Sequence, residues 1–228
     1  MEYHLREHLS CCDVDGKMIF LDVAGDRYFR LTGSLEAAMR RYLAHEALAS
    51  EELAGLTSTR ILVRAEDSKT RTATGTIERA SGSAVEQSTE FVCHRLGLAV
   101  ILEVMTIVWA TRHELQTYAL STVLDKAIAY RAKKSRSREA VASAVLEGEL
   151  LEATRQFARA RRYVPIEPVC LLDSLSLLRF LSRRGLSANI VFGVQPEPFA
   201  AHCWIQAGDI VLNETLSDAN AHTPIRKV

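Results

Sequence analysis

No charge of either sign is in surplus in this 228-residue chain, where 28 Lys and Arg face 28 Asp and Glu. Proteins that hold nucleic acid or a membrane surface by bulk electrostatics carry an excess, so neither partner is expected. A long apolar run is missing too. The longest, Leu96 to Ala110, spans 15 residues and contains Glu103 and Thr106, short of the ~20 that a membrane span requires. It reads as a buried core helix. The opening "MEYHLREHLS" has no apolar stretch behind a basic start, so no secretory signal is read. Cysteine is sparse: Cys11, Cys12, Cys93, Cys170 and Cys203 form an odd set without a CxxC pair, against both a disulfide framework and a structural zinc site. Neither metal nor other cofactor is expected, and a reducing cytoplasm is the natural setting for free thiols.

What is present is ordinary globular composition, 48% hydrophobic and 25% charged, in a length that suits one domain and a smaller companion. In "LSCCDVDGKMIFLDVAGDRYFRLTG" apolar patches are broken at Asp15-Gly16 and Ala24-Gly25-Asp26, the pattern of a three-stranded meander. Ser34 then stands as the cap of a helix on which Leu35, Met39, Tyr42 and Leu43 recur at helical spacing. Ser50 opens a second short helix, and "STRILVRAE" fits a third helix or a strand. The stretch 67–87 is rich in Ser, Thr, Gly and Ala and reads as a linker. It divides a first domain, 1–80, from a second, 88–228.

From Ser88 the pattern is helical. The basic run "RAKKSRSR" from Arg131 to Arg138 reads as solvated surface, with an acidic docking partner as the alternative. A further helix ends at Pro165. In "VCLLDSLSLLRFLSRRGL" a leucine stripe of Leu171, Leu175, Leu178 and Leu181 follows Cys170, and Gly185 closes the helix. "ANIVFGV" reads as a strand, "QPEPF" as a loop, and "HCWIQ" with "IVLNE" as a hairpin turning at Ala207-Gly208-Asp209. Helices first and strands last make an α+β domain.

Cys170 at a helix start meets the positive end of the dipole and unpaired amides, which favour the thiolate and offer an oxyanion site. On its own, beside Val169 and Leu171, it is more often a small packed hydrophobe. A base changes the balance, and His202 supplies one. With a three-residue loop, His202 lies opposite Glu214, with Cβ atoms about 5 Å apart, so that the carboxylate meets Nδ1 of the imidazole. A two-residue loop instead puts Asn213 or Thr215 there. Asp209 and Asp218 read as turn and tail residues. Trp204, on the face of His202, walls a substrate groove or fills the core. Cys203 points the other way and reads as packing.

The cysteine at a helix start, "LSRRGL", the strand ending in "FGV", "PEPFAAHCW" and the "G-x-I-V-L-N" after the turn together resemble the lasso-peptide B proteins over residues 165–216. That resemblance implies a leader peptidase with a transglutaminase-like, papain-like cysteine protease domain and a Cys170, His202, Glu214 triad, where the family usually has Asp as the third member. "KMIFLDVAGDRYFRLTGSLEAAMRRYL" resembles the small winged-helix-like recognition element of peptide-modification pathways. By that resemblance a precursor's leader adds as a strand beside "DRYFRL", near Arg27, Tyr28, Phe29, Arg30 and Leu31; as an alternative, Tyr28 and Phe29 only fill core and strand. The implied partners are the precursor peptide and an ATP-dependent macrolactam synthetase. A DNA-binding reading of the same element lacks a basic recognition helix.

Overall fold

A computed structural model of the chain describes residues 3–65, 77–87, 96–135 and 143–228. Cys93, residues 67–76 of the Ser/Thr-rich stretch and the end of the basic run lie outside the described residues. The chain divides into two compact units, Met1–Gly75 and Thr76–Val228.

In the first unit, β1 (Tyr3–Leu5) pairs antiparallel with β5 (Leu62–Arg64), so "STRILVRAE" holds a strand. The strands β2 (Leu9–Val14), β3 (Lys17–Asp22) and β4 (Arg27–Arg30) form the meander in the order β2-β3-β4. The β2–β3 turn is Asp15-Gly16, with φ of 51° and 74°. Two consecutive positive φ angles match the right-handed twist of the strands, and Asp-Gly accepts them at low cost. Helices α1 (Ser34–Leu43) and α2 (Ser50–Ser58) follow. Ser34 is the first helical residue rather than the cap: Gly33 precedes it at φ 62° and no side chain caps the helix. At α2, Glu52 reaches back to accept from the Ala49 N–H at 2.8 Å, satisfying one of the amides a helix start leaves open. Met18, Phe20, Met39, Leu56 and Leu62 form the core beneath both sheets and helices.

In the second unit, α3 (Leu98–Thr117), α4 (Leu120–Ser135) and α5 (Ser143–Arg161) pack around α6 (Cys170–Arg183). Behind α6 lies a sheet in the order β10-β7-β8-β9-β6. Its strands are β6 (Gly82–Ser83), β7 (Asn189–Pro196), β8 (Phe199–Ala207), β9 (Ile210–Val211) and β10 (Thr223–Lys227), with the short helix α7 (Leu216–Asn220) before β10. Helices in front and strands behind make this a mixed α+β unit.

Helix α6 is buried on more than the leucine stripe. Leu172, Leu175, Leu177, Leu178, Phe180 and Leu181 are all enclosed, together with Ser174, Ser176 and Ser182. Serines register as polar in a periodic reading, yet they are small, and Ser182 donates to Leu178 C=O at 2.7 Å inside its own helix. The helix ends as the glycine foretold. Gly185, at φ 70°, donates to Ser182 C=O at 3.0 Å, and Leu186 to Leu181 C=O at 3.0 Å, the paired bonds of a Schellman close.

Three boundaries differ from expectation. The loop "QPEPF" shrinks to Glu197-Pro198, because Pro196 already pairs with Phe199. Residues 82–83, inside the stretch read as linker, run parallel to β9. The β8–β9 turn has two residues, since Ala207 pairs with Ile210 and only Gly208-Asp209 lie between. No helix among the described residues is long and apolar enough to cross a membrane.

Candidate active site

Pro168 and an extended Val169 (φ −134°, ψ 131°) bring the chain to Cys170, where α6 starts. Val169 offers no side-chain cap, so no side chain from that position competes for the first-turn amides. Cys170 is half-buried beside β8, which carries His202 and Cys203. The Cys170 sulfur accepts hydrogen bonds from the Cys203 thiol, from His202 and from the Cys203 N–H. These outweigh its partial burial and lower its pKa from 9.0 to about 4. His202 is shifted the opposite way: the bond with Cys170 raises it most, burial opposes this, and the Glu214 charge raises it further. The pair is therefore held as thiolate and imidazolium.

The third member is Glu214. Its Oε1 lies 3.2 Å from His202 Nε2, so the carboxylate meets Nε2 rather than the Nδ1 that was expected. Register arithmetic does not explain the contact. With a two-residue turn, the position opposite His202 falls to Thr215, but β9 ends at Val211. The last ladder bond is Leu212 N–H to Ile205 C=O at 2.8 Å. Beyond it the chain peels away and Glu214 turns back toward the imidazole. Ser83 Oγ, on β6, donates to Glu214 C=O at 2.6 Å and anchors that turn. Asn213, the reserve orienter, accepts from Ile205 N–H at 2.7 Å and donates to Ser174 Oγ at 3.0 Å.

Cys203 is a correction. Strand alternation assigned it to packing away from the site, yet at 2% exposure it sits against Cys170 and donates to it. That bond and burial hold its own thiol far above the ordinary range. Trp204 does not wall the groove and fills the core, the alternative read for it. It is 1% exposed, packs with Val191, Val211 and Ala219, and donates to Gln206 Oε1 at 3.0 Å. It lines a separate cavity with Ile77, Ala80 and His222. The wall of the Cys170 cavity, about 420 Å³, comes instead from Val85, Phe157, Leu177 and Leu212. Arg161, buried, donates to Asp173 Oδ1 at 2.7 Å and to Ile166 C=O at 3.0 Å, fixing the approach to α6. Burial raises the Asp173 carboxyl, Arg161 counters it, and the Cys170 charge raises it again. Sequence reasoning missed Arg161, Asp173, Ser83 and Ser174. Only Asp173 left a local signal, three residues past Cys170 on the same helix face.

The residues expected to touch a leader lie in the first unit. Arg27 and Arg30 are exposed on β4, and Tyr28 is half-buried. Phe29 stacks on Phe20, centroids 5.1 Å apart, with Arg27 over its ring at 5.6 Å. Leu31 is buried in the core, where its side chain is closed to a docked peptide.

Residues 107–227, just over half of the chain, match the family described as transglutaminase-like superfamily. The chain belongs to the transglutaminase-like superfamily. The matched span encloses Cys170, His202 and Glu214 and stops short of the first unit and of Ser83. The chain is also 40% identical over 45 residues to the microcin J25-processing protein McjB of Escherichia coli. That match covers 20% of this chain and 22% of McjB, so the chain spans about a fifth of the length of the curated relative. No solved structure matches the chain. The partial match and the superfamily together give a chain resembling the lasso-peptide B proteins. Among the described residues, no group of three or more His, Cys, Asp and Glu is arranged to hold a metal ion.

Proposed function

We propose that this protein is the leader peptidase of a lasso-peptide pathway, binding a precursor's leader through its first unit and hydrolysing the leader–core bond at Cys170. The observation that carries the reading is the ordered contact of Cys170, His202 and Glu214 at the mouth of one cavity. The likeness to a microcin J25-processing protein supports a peptide as substrate.

In this reading the Cys170 thiolate attacks the carbonyl carbon of the last leader residue, forming a C–S bond. The Cys170 N–H, at the uncapped start of α6, faces the developing oxyanion. The C–N bond breaks as His202 gives its proton to the departing amine. Water, losing its proton to His202, then splits the thioester and frees the leader carboxylate. Glu214 stabilises the imidazolium throughout. One methylene longer than the usual Asp, it is accommodated because the chain leaves β9 before reaching it. No cofactor enters these steps.

The winged-helix-like recognition reading belongs to the first unit. Its meander and two helices support it, and β4, at one side of the meander, is where a leader strand would add, near Arg27, Tyr28, Phe29 and Arg30. The freed amine is what a partner ATP-dependent macrolactam synthetase would join to a side-chain carboxylate.

The test is incubation of the full chain with a synthetic precursor peptide, followed by mass spectrometry. Two fragments gaining one water support the reading, and Cys170→Ala abolishes them while leaving leader binding unchanged. A product ligated to an added amine identifies an acyltransferase instead. Binding without any covalent change identifies a scaffold.

A further inference from the structure

Strand β9 is short, and its early end leaves β8 with open ladder groups beside the nucleophile. Past Val211, the last backbone ladder bond to β8 is Leu212 N–H to Ile205 C=O. The N–H of Ile205 and both backbone groups of Cys203 then have no strand opposite them. Each is taken by another partner. Ile205 N–H donates to Asn213 Oδ1 at 2.7 Å. Cys203 C=O accepts from Ser174 Oγ at 3.2 Å. Cys203 N–H donates to Cys170 itself. Asn213 Nδ2 closes the chain by donating to Ser174 Oγ at 3.0 Å. Ser174 is fully buried and stands one turn after Cys170 on α6.

We propose that Ser174 and Asn213 are positioning residues for the Cys170–His202 pair: a buried amide–hydroxyl–carbonyl bridge replaces the missing strand and holds the first turn of α6 on the open edge of β8. The inference rests on the reading of Cys170 as the nucleophile. The physical need is plain. Cys170 and His202 lie on different elements, no covalent link sets their spacing, and a misplacement of about 1 Å costs ~100-fold in rate. A serine hydroxyl serves here because it accepts from Asn213 and donates to Cys203 at once. Removing it leaves a carbonyl and an amide without their partner.

The full chain carrying Ser174→Ala, Asn213→Ala or both would be tested by two readouts. One is the pH profile of Cys170 alkylation by iodoacetamide, which needs no peptide substrate. The other is kcat and KM on the precursor peptide. The charged groups facing Cys170 are His202 on β8, Glu214 beyond β9, Asp173 on α6 and its partner Arg161 on α5, and none is altered. With a retained melting transition, each single variant is expected to move the alkylation midpoint up toward an ordinary thiol's ~8.5 and to lower kcat about 10- to 100-fold, with KM unchanged. The double variant matches the worse single one, because both residues act through one bridge. An unchanged midpoint and kcat in folded Ser174→Ala overturns the proposal, as does an additive double variant. Should Asn213→Ala lose its melting transition, Ser174→Ala, which removes one oxygen, carries the test. Wild type that fails to cleave yet shifts its alkylation profile on Ser174→Ala retains the positioning role and refutes the peptidase reading alone.

Discussion

Cys170 differs from the other described cysteines in what surrounds its sulfur. Burial pushes Cys11 up to about 11; burial with the neighbouring Cys11 and Asp13 charges pushes Cys12 to about 12. Cys203, bonded to Cys170 and buried, rises too. At pH 6 those three remain thiols, while Cys170, lowered to about 4, is a thiolate. Iodoacetamide at pH 6 is therefore expected to modify Cys170 ahead of Cys11, Cys12 and Cys203 by peptide mapping; a Cys170 midpoint near the ordinary ~8.5 refutes this. The same shifts set a bell-shaped pH–rate profile. The thiolate is gained as pH rises through about 4, and the imidazolium is lost as pH rises through the raised His202 value. Glu214→Gln removes a group that raises His202, so the alkaline limb is expected to move to lower pH and kcat/KM to fall by an order of magnitude or more. An alkaline limb that stays put would show that Glu214 does not act on His202.

Among the elements, β7 and β8 depend on a glycine for their fit. Gly193 pairs with His202, and a Cβ there would meet Trp204 Cζ3 at 2.7 Å and His222 Cβ at 2.9 Å. Both neighbours are constrained. Trp204 is buried, and the His222 ring packs on His202 with centroids 5.4 Å apart. Gly193→Ala is expected to cost about 1–3 kcal/mol, read as a lower melting temperature. Activity falls with it, because the strain lands on the ring pair behind the base. Helix α6 teaches a related lesson. Its start, its leucines and its glycine close follow from local chemistry, whereas its enclosure by α3, α4, α5 and the sheet follows from neighbours that a 3.6-residue period does not report.

For the whole molecule, the division at Gly75 and Thr76 puts the proposed leader site and the cleavage site in separate compact units of one chain. Under the proposed function, tethering would keep a bound leader's scissile bond at high local concentration near Cys170. Residues 76–228 alone are expected to cleave the full precursor with kcat/KM lower by about 10²–10⁴-fold. Their rate on a short peptide spanning the cut should match that of the intact chain, and a loss of equal size on both substrates would count against leader tethering.

Much of the site was legible because its cues are local. A cysteine after Pro168 at a helix start, a histidine on a following strand and an acid past the next turn are readable from spacing, and so were the Asp15-Gly16 turn and the Gly185 close. The contact between Glu214 and His202 was reached from the wrong register, since Glu214 meets His202 only where the ladder has ended. Trp204 went to the core because alternation assigns a residue to a face without saying what covers that face. Cys203, Ser174, Asn213 and Ser83 became part of the site through contacts between segments 29 to 131 residues apart. The sequence by itself determined the candidate nucleophile, the candidate base and the elements that carry them, since helix starts, turns and strand periods depend on neighbours in the chain. Only the tertiary structure decided how those groups are held and tuned, because a prematurely ended strand leaves open backbone groups whose partners come from wherever the fold brings them.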